Sequence, residues 1–287
     1  MAKTDRNNPA KKGIVKVAGS ANWLASVAQE DSSLAGLQAH VIVPRMKLIQ
    51  QMTDEVLKKQ FGEGTCIVRP GDTVLAPPGE TFFFVPLFFF VEYCKWADRK
   101  DTSNPMIIAR SFDPSSDIAK RSQNSELRFE IYAEDLKVKP EKQRRYRYVE
   151  HYNFVGVVFG EHDLAGTEVT LSFSRGEHGQ GKNFITACTM RRQEVETESG
   201  STARVPVPLW AQVWALSPSL RERNDQKWYG LDFLPGEPAI IPEELVEKHQ
   251  TRHLELKEAY DQRRLVVDGD DRPEEDDSSS VDSDGKF

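Results

Sequence analysis

Apolar residues along this chain fall mostly in short runs or strict alternation, the period of strands, and only near the end do they take up a helical spacing. After a polar, weakly patterned stretch to about Ala39, with a short helix expected near Trp23 to Val27, HVIVPRMKLIQ begins the ordered part. Val41, Ile42 and Val43 suit a strand that Pro44 confines to an edge or ends. Thr53 followed by DEVLKKQFG predicts a short capped helix closed by Gly62. From Thr65 to Trp96 the turn sequences RPGD and PPGE punctuate β-prone runs. Within them TFFFVPLFFFVEYCKW is apolar on every face until Glu92, which predicts a strand buried on both sides.

Residues 98 to 120 read as loop around the short apolar MIIA, Glu126 to Tyr132 alternates, and VEHYNFVGVVF is strand-like. TEVTLSFS, the glycine-rich RGEHGQGK and NFITACTMRR predict a β-hairpin, followed by a polar loop from Glu194 to Ala203. VPVPLWAQVWALS and KWYGLDFL add further strands. Pro242-Glu243-Glu244 opens the one long helix, 242–266, with Val246, His249, His253, Leu256 and Tyr260 along its apolar stripe. The expected fold class is therefore mainly β, closed by a C-terminal helix. Three segments are expected: a flexible basic arm at 1–38, a β-rich body at 39–267 and a disordered acidic tail at 268–287.

Charge sharpens that division. The tail DGDDRPEEDDSSSVDSDGKF holds nine acids against Arg272 and Lys286, a net of −7, which equals the net charge of the whole chain, so the rest sums to zero. Its only apolar residues are Val281 and Phe287, too few to offset the entropy of ordering. Such a peptide competes with a polyanion for a basic groove, or offers an aromatic anchor and acidic flank to a partner. The blander expectation is a solubilising tail.

At 287 residues and 38% apolar content the chain can bury a proper core. Its longest apolar run, Phe82 to Val91, is about half of what a spanning helix needs and contains Pro86, so no membrane is expected. The N-terminus lacks the apolar segment of a signal peptide, and a cytoplasmic location is expected. Cys66, Cys94 and Cys188 are odd in number and widely spaced, which fits reduced thiols instead of a disulfide or zinc framework.

Several motifs approach known chemistry without completing it. Gly176 to Lys182 fits G-x-x-x-x-G-K, but Asn183 stands where a phosphate loop needs Ser or Thr, and FITACT reads as strand where a helix is required. Gly71-Asp72 with Pro77 and Gly79 resembles half of a cupin motif whose metal-ligand position is occupied by Phe82. His249 and His253 have metal-capable i, i+4 spacing, yet both fall on the apolar stripe and are expected to pack. No catalytic residue, metal set or cofactor is expected.

What recurs is basic residues interleaved with aromatics. Lys95, Trp96, Arg99 and Lys100 form one such group; Lys137, Lys139, Arg144, Arg145, Tyr146, Arg147 and Tyr148 lie in the most basic segment; Lys182 with Phe184, and Arg191 with Arg192, complete the set. Cations of this kind contact phosphates, and flat rings stack on bases. Each group alone is better explained by solvated strand ends and core aromatics; it is their recurrence on a neutral body with an acidic tail that points to nucleic acid.

Together these features resemble the single-stranded DNA-binding proteins of bacteriophages and bacteria, an OB-type β-barrel followed by an acidic tail ending in Phe. The tail carries the likeness, and VPRMKLIQQMTDEV, TFFFVPLFFFVEYCKW and KWYGLDF are similar to blocks of phage replication-associated proteins. The resemblance implies an elaborated OB-like β-barrel that binds single-stranded DNA without sequence preference in DNA replication or recombination. It also implies that the tail, through Asp276, Asp277, Asp282, Asp284 and Phe287, recruits replication and recombination proteins. A homo-oligomer is compatible with it. Two other classes stay open: a phage structural or assembly protein with a β-sandwich body, and a cupin-like enzyme.

Overall fold

The computed structural model describes residues 43–262 except 52, 54, 99, 102–105, 197–199 and 224–225. The expected arm at 1–38, the helix near Trp23 and the tail at 268–287 lie outside the described residues. Twelve strands are described: β1 (Arg45–Leu48), β2 (Cys66–Arg69), β3 (Thr73–Ala76), β4 (Phe82–Trp96), β5 (Ile107–Ser111), β6 (Phe129–Ile131), β7 (Arg145–Phe159), β8 (Glu168–Ser174), β9 (Arg192–Glu196), β10 (Thr202–Pro206), β11 (Gln212–Arg223) and β12 (Gln226–Ile240). Four helices accompany them: α1 (Glu55–Phe61), α2 (Asp117–Gln123), α3 (His178–Met190) and α4 (Val246–Asp261).

The protein is mainly β, as expected, with one curled half-barrel sheet and a C-terminal helix. Strand order is β12-β11-β4-β7-β8-β1-β2-β3, with β5 added to β4 and β6 to β7; all pairings are antiparallel except β1 with β8. Curling brings β12 back towards the segment that follows β1. Gln50, just past β1, donates from Nε2 to the Tyr229 carbonyl of β12 (2.7 Å) and accepts from the Tyr229 N–H (2.8 Å). One side-chain amide thus stands in for a strand pair.

The spine is β4 against β7, paired from Phe83↔Phe159 to Trp96↔Arg147. As expected of its apolar run, β4 has no exposed residue. Before Pro86 its even residues Phe82 and Phe84 face one core and Val85 the other; after it, Phe89 and Val91 join the first core while Phe88 and Phe90 join the second. The switch is a bulge, since Pro86 opposes Gly156 and Phe88 opposes Val155, leaving Leu87 extra. Proline is tolerated in this central strand because the ladder is already interrupted there. Gly156 is required opposite it: a Cβ would lie 2.7 Å from Phe84 Cε2 and closer still to the Val85 carbonyl oxygen.

Each face of the sheet is covered by one long helix. On the first, α3 inserts Phe184 among Phe154 (ring centroids 4.9 Å), Trp214 (5.2 Å) and Phe233 (4.8 Å). On the second, α4 buries Leu256 and sets Tyr260 against Phe88, Phe90 and Phe112. His253 of α4 donates from Nδ1 to the Leu87 carbonyl (2.7 Å), satisfying the acceptor that the bulge frees, and His249 packs with Nδ1 on the Trp210 carbonyl (3.3 Å). Both histidines pack, as expected from the stripe.

Several local expectations are corrected. NFITACT is helix, because Gly181, Phe184 and Cys188 fall on one face and dock on the sheet; a Cβ at Gly181 would stand 2.7 Å from Phe173 Cβ. The G-x-x-x-x-G-K stretch is therefore a helical turn and the start of α3, with no hairpin tip. The polar loop after it is part of the separate ribbon β9–β10, and the expected 98–120 loop contains β5 and the start of α2, the latter capped by Ser116. Pro44 lies between the β-bridge residue Val43 and β1, Val41 and Ile42 of the expected strand lie outside the described residues, and a 3-10 turn separates Pro242 from α4. No helix among the described residues is long and apolar enough to cross a membrane.

Candidate nucleic-acid interface

The end of the sheet where β4 finishes and β7 begins gathers most of the expected site residues. Here β6 pairs Phe129↔Arg147, Glu130↔Tyr146 and Ile131↔Arg145, and α2 packs alongside. Tyr146 stacks on Tyr132 with centroids 3.9 Å apart and planes at 14°. Lys95 Nζ sits 3.9 Å from the Tyr146 ring centre, and the Arg144 guanidinium 4.8 Å from that of Tyr132. Arg147 lies over Phe129, whose ring is 49% exposed.

Acids take up part of this positive charge. Arg144 donates to both Asp135 oxygens (2.9 and 3.1 Å) and to Glu134 (2.9 Å), which holds the Asp135 carboxyl below the usual range. Lys95 pairs with Glu130 (3.2 Å), which also accepts from the Tyr148 hydroxyl and lies 3.8 Å from Arg121. That hydroxyl is the main cause of the lowered Glu130 carboxyl. In contrast Lys100, Lys137, Lys139, Lys142 and Arg145 are exposed and make no ion pair among the described residues.

Other expected residues are placed differently. Trp96 is buried and stacked on His151 (5.9 Å), Tyr148 is buried under α2, and Phe184 is wholly within the core, so these three rings present no face for a base to stack on. That corrects the expectation for them, the cause being the core's demand for large apolar rings. Lys182 is exposed on α3, and Arg191 and Arg192 follow its C-terminus, about 20 Å along the helix from its start. Arg191 covers Trp214 (4.8 Å) and donates to the Val213 carbonyl (3.2 Å); Arg192 donates to the carbonyls of Thr189 and Arg191. Arg99 and the tail residues Asp276, Asp277, Asp282, Asp284 and Phe287 lie outside the described residues.

The sequence reading missed a cleft of about 50 Å³ beside this end, lined by Ser122, Arg128, Arg147, Tyr148, Val149, Glu150 and His178. His178 stacks on Tyr152 at 4.4 Å and 7°, and its Nε2 meets Glu150 Oε2 at 3.0 Å. Glu150 also accepts from Tyr152 (3.0 Å) and Gln123 (3.4 Å). Burial pushes the Glu150 carboxyl up, but these three donors outweigh it and leave it below the usual range. Arg128 directly precedes β6 and His178 lies in the glycine-rich stretch expected as a turn; only the packing of α3 joins them.

Fold and site define a mainly β protein whose sheet ends in a mixed basic and aromatic surface. Residues 19–261 match the family described as Pam3 phage gp34-like protein, and the chain belongs to that family, which links it to bacteriophages. No curated protein and no solved structure matches it.

Proposed function

We propose that this phage-family protein binds single-stranded DNA without sequence preference, by contact and without catalysis, in replication or recombination. The observation that carries this reading is the set of exposed cations Lys137, Lys139, Lys142 and Arg145, without an ion pair among the described residues, beside the exposed Phe129 ring and the half-buried Tyr146. Spare cations attract the backbone, and accessible rings favour bases that are free to leave a stack. The reading puts Arg144 and Lys95 in a supporting role, holding the Tyr132–Tyr146 stack. Recruitment of replication proteins by the acidic tail belongs to the same reading and rests on the tail's composition alone. Fluorescence anisotropy with a labelled thymidine single strand and a blunt duplex, across a salt series, tests it. Preference for the single strand and steep salt weakening are expected; equal or tighter duplex binding refutes it.

A second reading, a phage assembly protein, is favoured by the β9–β10 ribbon. It stands outside the main sheet with five exposed residues on β9, and Val195 and Val205 among its exposed apolar residues. Such an edge is available for strand addition by another chain. Sedimentation that shows defined assemblies lost on deleting the ribbon would support it.

A further inference from the structure

Resting on the nucleic-acid reading but separable from it, we propose that the cleft between β7, α2 and the start of α3 takes one phosphate group. Two guanidiniums, Arg128 and Arg147, and the His178 imidazole line it. Its one carboxylate, Glu150, is already engaged by the Tyr152 hydroxyl and the Gln123 amide and lies 3.0 Å from His178 Nε2. The Tyr148 hydroxyl is committed to Glu130 and the Ser122 hydroxyl to the Ala119 carbonyl (2.8 Å), so neither offers its proton elsewhere. The cleft therefore carries the positive charge of two guanidiniums beside a carboxylate whose oxygens already accept hydrogen bonds. Arg128 is exposed and its side chain makes no ion pair among the described residues.

Size agrees with chemistry. A water needs roughly 10–15 Å³ of such free volume, so about 50 Å³ holds about three to five waters, close to one tetrahedral oxyanion. A planar guanidinium is suited to bidentate contact with phosphate oxygens. The start of α3, a 13-residue helix whose first residue is His178, adds favourable dipole potential on the same side. Because Arg147 and Tyr148 belong both to this cleft and to the β6–β7 end, a strand lying on the exposed cations is positioned to place a phosphate here.

The test uses the full chain with inorganic phosphate, followed by calorimetry, and then 5′-phosphorylated and unphosphorylated thymidine oligonucleotides. Saturable phosphate binding is expected, weakened about tenfold in Arg128→Gln, the scale of one lost charge-assisted hydrogen bond. His178→Gln is a second variant, and circular dichroism checks the fold of both. No saturable binding, or binding unchanged in folded Arg128→Gln, overturns the proposal. Phosphate binding without oligonucleotide binding leaves the cleft standing and refutes the nucleic-acid reading. Oligonucleotide binding that phosphate cannot weaken and Arg128→Gln does not alter does the opposite. A preference for the 5′-phosphorylated strand assigns the cleft to a terminal phosphate, and equal affinity with the Arg128→Gln loss assigns it to a backbone phosphate.

Discussion

Replacing Lys137, Lys139, Lys142 and Arg145 together with alanine separates ionic binding from folding. None of the four makes an ion pair among the described residues, and all are exposed, so the variant should unfold at the parent's temperature. Each phosphate contact on a single strand contributes about 0.7 to the slope of log affinity against log salt. If all four touch phosphate, the slope should flatten by about 2.8. Between 50 and 200 mM salt, a fourfold change, the parent should then lose about 50-fold more affinity than the variant. Anisotropy of a labelled thymidine oligonucleotide at five or so salt concentrations measures this directly. A folded variant whose slope changes by less than about 0.7, under one contact, refutes the assignment of this end as the interface. Arg144→Ala is the contrasting control. It removes the guanidinium that holds Asp135, Glu134 and the Tyr132 ring, so thermal stability should fall while the salt slope changes little.

Gly156→Ala should destabilise by about 1–3 kcal/mol in denaturant unfolding, because the new methyl meets the Val85 carbonyl and the Phe84 ring beside a bulge that cannot shift freely; an unchanged midpoint refutes the close approach. Burial holds the His249 imidazole below its ordinary value, so the stability it contributes is fully present above the unfolded value near 6.5 and is lost as pH falls towards the folded one. His249→Asn should therefore lose less melting temperature than the parent between pH 7 and pH 5. Burial pushes the Cys66 and Cys188 thiols up to about 12, and Cys94 higher still, so iodoacetamide at pH 8 should label none in the native state and all three in denaturant.

The spine strands were legible because burial on both faces leaves an uninterrupted apolar run, as in Phe82 to Val91. Helix α3 was not. HGQGKNFITACTM carries three β-branched residues and two glycines, weak helix formers by themselves, and it is helical because Gly181, Phe184 and Cys188 fit the sheet. The ribbon β9–β10 escaped notice because both strands are almost wholly exposed and so show no alternation. The cationic segment from Lys137 to Arg147 was plain in the sequence, but which cations remain spare was not. Asp135 reaches Arg144 across nine residues and Glu130 reaches Lys95 across 35, distances set by the pairing of β7 with β6 on one side and with β4 on the other. Aromatics chosen for their neighbours in sequence, Trp96, Tyr148 and Phe184, belong to the core because alternation and the helix period point them inward.

The central claim is that a single strand lies on the β6–β7 end. Photo-crosslinking with a thymidine oligonucleotide carrying 4-thiothymidine, followed by mass spectrometry of the protein's peptides, locates the contact without any substitution. Crosslinks at Phe129 or Tyr146, or in the peptide from Leu136 to Arg145, are the predicted result. Crosslinks confined to α3 or the β9–β10 ribbon, or none above a duplex control, would contradict it.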